Sequence, residues 1–270
     1  MVRQTSDPAV GRDLAIAGVD DLRDVGGRRT AEGRRVRRSV LYRSTHLAGL
    51  GDAGEASFAA LGIRCVYDLR TEHERRLASD RLPDGTSQVA IDLLADETGP
   101  DPAEMMATLA DPEAARAMLG DGRSERFFVQ AYRRFVMLPS ARSGYARLYR
   151  GLATGPLPAL VHCTTGKDRT GWAVAALMLY LGVPEDDVLE DYLSSNAILA
   201  PVSERLLAAF AARGGDPELL RPLTEVRPAY LGAALAEMRR LYVSPDRYLA
   251  DGLGLDRTTR HCLREMLLEP

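Results

Sequence analysis

Ala159-Leu160-Val161-His162-Cys163-Thr164-Thr165-Gly166-Lys167-Asp168-Arg169-Thr170-Gly171-Trp172 decides how this chain folds and what it can bind. The apolar run 158–161 reads as a short buried strand. A helical run starts near Asp168 and carries Trp172, Val174, Ala175, Ala176, Leu177, Leu179, Tyr180 and Leu181. Between them lies a tight loop that opens on Cys163 and closes on Arg169. A strand, a glycine turn and a helix N-terminus together aim backbone N–H groups into one small space. Such a concavity binds anions, and the helix dipole adds to it. The same field favours the thiolate of a cysteine placed at its edge. A tetrahedral phosphoryl group would sit in the loop with phosphorus against sulfur. Arg169 would grip two of its oxygens through a planar fork, which a lysine cannot do. The pattern predicts nucleophilic attack of Cys163 on a phosphate ester.

A cysteine with an arginine six positions on is a common coincidence. His162, Gly166 and Thr170 between and beside them make this instance specific, and the strand-to-helix context fits independently. The competing reading is an inert buried cysteine ahead of a helix. The polar neighbours Thr164, Thr165, Lys167 and Asp168 argue against it. Lys167 is the only lysine among 35 basic residues. Either one lysine fell there by chance, or the loop needs a compact ammonium where a guanidinium would fit poorly.

The string HCTTGKDRTG over 162–171 resembles the cysteine-dependent phosphatases, and within them the bacterial protein tyrosine phosphatases of the mycobacterial secreted type. Weaker motifs in the same order extend the resemblance over nearly the whole chain. They are Asp21-Leu22-Arg23-Asp24-Val25, Leu41-Tyr42-Arg43-Ser44, Val66-Tyr67-Asp68-Leu69-Arg70, Asp191-Tyr192-Leu193-Ser194-Ser195-Asn196 and the tail over 230–253. The resemblance implies a single phosphotyrosine protein phosphatase-like α/β domain over 1–270. Its sheet would be short, mostly parallel and flanked by helices, with a helical lid inserted over 95–124.

Composition fits that expectation. A chain of 270 residues with 46% hydrophobic content supports a sizeable core. A net charge of −3 gives no general attraction to nucleic acid or to anionic membranes. No apolar run is long enough to span a bilayer, and the polar start lacks the apolar core of a Sec-type signal. Three cysteines, Cys65, Cys163 and Cys262, suit a reducing compartment more than a disulfide framework. The expected location is cytoplasmic; export without a signal would follow only by family analogy.

Along the chain, 1–9 reads as a mobile terminus and 14–19 as a first strand, followed by a turn over 20–27. The basic stretch 33–38 reads as a solvated hairpin, the alternative being a contact for an acidic or phosphorylated partner. Strands follow over 40–43, 63–69 and 89–94, with a helix over 52–61 between the first two. Thr71 and Glu74 make a capping box for the next helix. Pro102 and Pro112 each start a short helix; the pair reads either as an ordinary helical excursion packed on the core or as a lid to which Met105, Met106 and Met118 would give an adaptable underside. Helices are expected over 124–137, 140–152, 184–197, 202–213, 229–243, 246–252 and 256–268.

The site residues have expected roles. Cys163 is the nucleophile, forming a phosphocysteine that water hydrolyses. Thr164, Thr165, Gly166, Lys167, Asp168, Arg169 and Thr170 cradle the phosphate, and Thr170 could donate its hydroxyl to the sulfur. His162 reads as orienting the loop through hydrogen bonds, with proton transfer as the alternative. The leaving oxygen needs a general acid. Many tyrosine phosphatases carry it in a Trp-Pro-Asp motif, which is absent, because Trp172 is the only tryptophan. Asp168 is the nearest carboxylate and the one the resemblance points to; a structural pairing with an arginine is its alternative. Asp96, just beyond a strand, is the second candidate. Asp68 and Asp191 read as structural partners for loop or helix amides. No metal or cofactor is required. Three functions fit. One is a protein phosphatase acting on phosphotyrosine, with phosphoserine and phosphothreonine in range. The second is a phosphoinositide phosphatase, in which an exposed Lys167 at the loop rim holds an additional phosphate. The third is a phospho-binding module without turnover. The enzymes would release inorganic phosphate and need neither nucleic acid nor membrane insertion.

Overall fold

The computed structural model describes residues 13–270. The terminus expected over 1–9 lies outside the described residues. Five strands form one sheet in the order β1-β2-β5-β3-β4. They are β1 (Arg23–Asp24), β2 (Leu41–Ser44), β3 (Cys65–Asp68), β4 (Ser87–Ala90) and β5 (Ala159–His162). Only β1 runs antiparallel to its neighbour. The central strand β5 is apolar at every position but its last, as expected of a parallel strand covered on both faces.

The helices cover both faces. On the side of Ile16, Leu22, Leu47 and Leu50 lies α1 (Asp52–Ala59), closing a small core on Phe58, Val66 and Leu160, while α2 (Glu72–Leu77) adds no apolar side chain to it. The larger core lies on the other side. It is built by α5 (Arg123–Met137), α6 (Pro139–Thr154), α7 (Arg169–Leu181), α8 (Glu185–Ala211), α10 (Pro228–Tyr242) and α12 (Arg257–Leu267). Helix α7 is buried along almost its whole length, with Leu179 the one half-buried position. Buried tyrosines of α6 fix it: Tyr145 donates to the Arg169 carbonyl at 3.2 Å and Tyr149 to the Ala173 carbonyl at 2.7 Å. A satellite cluster joins α3 (Pro102–Thr108) and α4 (Pro112–Leu119) to α8 and α9 (Pro217–Thr224) through Leu109, Ala115, Leu119, Leu207, Phe210 and Leu223. The short α11 (Pro245–Arg247) and a π-turn over Tyr248–Gly252 bring Tyr248 under Trp172.

Several boundaries differ from the sequence reading. The stretch 14–19 is not a strand. Its backbone turns back on itself at Ala15 (φ 53°) and Gly18 (φ 82°), leaving one bridge between Ile16 and Val19. β4 lies earlier than expected, and the buried Ile91 and Leu93 follow it in loop conformation. The two helices expected over 184–213 are one, because α8 runs through Pro201. Helix α9 was not anticipated. The basic hairpin is a structural clamp. Arg34 donates to the Glu269 carbonyl at 2.8 Å and Arg37 to the Leu268 carbonyl at 3.1 Å, holding the end of α12.

Candidate active site

The loop from Cys163 to Asp168 leaves the C-terminal end of β5 and enters α7. Gly166 has φ of +67°, and a β-carbon there would lie 2.2 Å from the Ser44 carbonyl oxygen. Only glycine permits this turn over the end of β2. The Arg43 guanidinium donates to the Gly166 carbonyl at 2.6 Å, and the His46 amide donates to the Thr164 carbonyl at 3.1 Å. The carbonyls are thereby pinned outward. Among the described residues, no protein acceptor takes the amides of Thr164 to Arg169. Asp168, the N-cap of α7, leaves the helix start uncapped by its side chain. Free donors at a helix start and in the turn before it form an anion cradle.

Cys163 sits at the edge of this cradle and is 1% exposed. Behind it, His162 is fully buried. Its Nδ1 lies 2.9 Å from the Cys163 carbonyl oxygen and its Nε2 lies 3.1 Å from an Asp80 carboxylate oxygen. Asp80 also accepts from the Leu47 amide at 2.7 Å. Burial pushes its carboxyl up, but His162 and then Arg70 outweigh it, holding the pKa at about 2. Asp68, Asp80 and His162 are close enough to hold a cation. Arg70 already fills that role, with Nη2 2.7 Å from Asp68 and 2.9 Å from Asp80. His162 thus lies between the backbone of the nucleophile and a buried carboxylate.

Arg169 is held by Glu74, with Nη1 and Nη2 each 2.6 Å from a different carboxylate oxygen. This end-on pairing leaves the Nε edge of the fork for a ligand. Thr164 Oγ1 also donates to Glu74. The same carboxylate closes the capping box on α2, accepting from the Thr71 amide at 2.9 Å. Sequence reasoning found Glu74 only as a cap. Burial pushes Glu74 up, yet the Arg169 bonds and charge hold it at about 2, and Glu74 in turn keeps the Arg169 guanidinium protonated despite burial.

The remaining expected residues are placed as follows. Thr165 is exposed at the loop tip. Thr170 is fully buried, and its hydroxyl has no hydrogen-bond partner among the described residues, so the expected bond to sulfur is not formed. Lys167 is not at an exposed rim. It is 3% exposed, its Nζ 2.6 Å from Asp168 Oδ2 and 5.2 Å from the Phe128 ring centre. Asp168 also accepts from the Tyr132 hydroxyl at 3.0 Å, so its partners are a lysine and a tyrosine, not an arginine. Asp96 stands apart. It accepts from the Ser140 amide at 2.9 Å and from the Ser140 hydroxyl, capping α6 from a distance. A slight upward push from burial is outweighed by those bonds, which hold its carboxyl below the ordinary range. Asp68 serves the Arg70 amide as expected, at 3.0 Å. Asp191 does not serve amides: it lies 3.1 Å from Arg43, 3.7 Å from Arg23 and 3.9 Å from Arg28.

The chain as a whole is similar to known phosphatases. The sequence profile described as "Tyrosine phosphatase family" matches residues 14–269. A protein of Cupriavidus necator designated a candidate tyrosine-protein phosphatase is 34% identical over 245 residues, covering 90% of this chain and 85% of its own. The triple specificity protein phosphatase PtpB of Mycobacterium tuberculosis is 31% identical over 276 residues, covering 94% and 98%. The chain belongs to the tyrosine phosphatase family. It is accordingly a phosphatase, a hydrolase.

Glu74 gives the site a pH signature. Its folded pKa of about 2 lies below the ordinary value of 4.5. The stability it contributes is therefore complete above about pH 4.5 and is lost as pH falls toward 2, roughly 3 kcal/mol across that window. Glu74→Gln should flatten the acid limb of a denaturant-derived stability curve by that order and lower phosphatase activity by releasing Arg169. An unchanged acid limb would show that the pair does not stabilise the folded state.

Proposed function

We propose that this phosphatase hydrolyses phosphate monoesters on protein, phosphotyrosine first, with phosphoserine and phosphothreonine in range, through a phosphocysteine on Cys163. The observation that carries the reading is the conjunction of Cys163 with unpaired loop amides and an Arg169 fork oriented by Glu74. The thiolate attacks phosphorus in line with the ester oxygen. The S–P bond forms as the P–O bond breaks, and the three equatorial oxygens rest on the loop amides and Arg169, where transition-state charge lies. Asp168, in its acid form, protonates the departing oxygen. It then accepts the proton of a water that attacks the phosphocysteine, releasing inorganic phosphate and restoring the thiolate. No step requires a cofactor or a metal. The name of the mycobacterial relative, a triple specificity phosphatase, supports the breadth of this substrate range.

Cys163→Ser should abolish turnover while phosphate binding survives, because serine does not ionise at neutral pH. Arg169→Lys should be nearly as damaging, since both the ligand fork and the bidentate grip of Glu74 are lost. Steady-state turnover of an aryl phosphate, with phosphate binding by calorimetry, checks both. Most of the activity surviving in either variant would sink the mechanism.

The phosphoinositide alternative rested on Lys167 as an exposed charge. Its burial against Phe128 and its pairing with Asp168 commit that charge internally. Lys167→Ala should therefore depress phosphopeptide and phosphoinositide turnover by the same factor, and a loss confined to the phosphoinositide would restore the lipid reading.

The α3–α4 pair within 95–124 is read as the lid of this single domain. It is tied to α8 and α9 by a few apolar side chains, while Met106 and Met118 remain exposed. The free thiols of Cys65, Cys163 and Cys262 support a cytoplasmic location, and no helix among the described residues is long and apolar enough to cross a membrane. Trimming 100–120 should change kcat/KM for a phosphoprotein more than for a small aryl phosphate; equal changes would make the pair ordinary packing.

A further inference from the structure

Asp168 is held from two sides by unlike partners. Oδ2 pairs with the Lys167 ammonium, and Oδ1 accepts from the Tyr132 hydroxyl. Tyr132 is fully buried on α5, and its oxygen accepts a hydrogen bond from the Tyr192 hydroxyl of α8 at 2.7 Å. A phenol that receives one hydrogen bond has a single proton left to give, and here it goes to Asp168. Burial, and next the Asp168 charge, push the Tyr132 hydroxyl well above its ordinary pKa, so it stays a donor. The ring is locked as well, tilted against Phe135 and Tyr230 and edge-on to Tyr192. A carboxyl between a rigid neutral donor and a lysine on a flexible stem is fixed at one oxygen and adjustable at the other.

We propose that Tyr132, backed by Tyr192, is a positioning residue for the general acid: by binding Oδ1 it commits the transferable proton to Oδ2 and sets the plane of the carboxyl against the leaving oxygen. This rests on Asp168 being the proton donor. As the S–P bond forms, the P–O bonding pair passes to the ester oxygen, which takes the Oδ2 proton. Asp168 is left as carboxylate, with Oδ1 still bound to Tyr132 and Oδ2 taken by the Lys167 ammonium, which on its flexible stem gives up that oxygen when Oδ2 carries the proton. A carboxyl freed at Oδ1 can rotate and offer either oxygen, and small misplacements of a catalytic group are costly.

The experiment is a leaving-group series, because an ester with a weakly acidic alcohol needs the proton and one with a strongly acidic phenol does not. Tyr132→Phe should lower kcat/KM for phenyl phosphate about 10-fold and for para-nitrophenyl phosphate no more than about 2-fold, a fraction of the full general-acid effect. Inhibition by inorganic phosphate should be unchanged, since the loop is untouched. Asp168→Asn should show the same selectivity more strongly, and Tyr132→Phe added to it should cost nothing further on phenyl phosphate. If Asp168→Asn is selective but Tyr132→Phe slows both esters equally, Tyr132 is packing and the inference falls while Asp168 keeps its role. If Asp168→Asn is itself unselective, Asp168 is not the acid and the inference falls with it. Tyr192→Phe, which leaves the Tyr132 ring in place, gives an independent reading should Tyr132→Phe fold poorly. A weaker selective loss supports the chain of hydroxyls, and an equal loss on both esters overturns it.

Discussion

A loop that turns its amides inward must turn its carbonyls outward, and every one of those carbonyls needs a donor. Around this anion cradle the partners come from β2, from the segment after it and from the residue beside the nucleophile. Arg43 on β2 takes the Gly166 carbonyl, the His46 amide takes the Thr164 carbonyl, and the His162 ring sits on the Cys163 carbonyl. A peptide unit is planar and trans, so a carbonyl fixed outward fixes the following N–H in the opposite direction. The parallel pairing of β2 and β3 with β5 brings these groups within reach, since all three strands end at the same edge of the sheet. The fold serves the site chiefly by holding that edge.

The holding groups are charged and buried. Arg23, Arg43 and Asp191 are almost inaccessible, and Asp21 and Ser195 complete their contacts. Burial, and next the Arg43 charge, lower Arg23 to about 9, still protonated at neutral pH. On the other side, Asp68, Arg70, Asp80 and His162 form a second buried cluster. Buried ion pairs of this kind add little net stability against an apolar core, because desolvation offsets attraction. Their effect lies in geometry: each guanidinium has fixed donor directions, so the loop they carry has one arrangement.

The loop was legible because its chemistry is local: nucleophile, glycine turn, arginine and helix start lie within ten residues. Its supports were not, because they are tertiary. Glu74 advertised a cap three residues from Thr71, while its other partner, Arg169, lies 95 residues away. Asp80 gave no local signal of its contact with His162. Asp96 drew attention by standing after a strand, yet the turn into α6 claimed it. The apolar run over 14–19 reads as a strand, and positive φ at Ala15 and Gly18 turns it back instead. Helix α8 runs through Pro201, with Leu199 and Leu207 buried on either side of it. Helix α9 begins at Pro217 and contains Pro222, and two prolines in so short a segment weaken its local helical signal.

The solitary lysine shows how composition and packing meet. In a chain that otherwise uses arginine for every cation, chance would as soon have put the exception on the surface. Instead it lies inside the loop, 3% exposed, with the Phe128 ring on one side and the Asp168 carboxylate on the other. An ammonium is compact and can meet an aromatic face and one carboxylate oxygen together, leaving the second oxygen to Tyr132. A guanidinium is wider and planar, and it favours bidentate pairing with both oxygens of a carboxylate. An arginine here would compete with Tyr132 for Oδ1 and turn Asp168 into a two-point anchor, which is the arrangement Glu74 already makes with Arg169. The two carboxylates of the site thus differ by the cations they face: one clamped at both oxygens for binding, the other held at one oxygen by a phenol and at the other by a lysine.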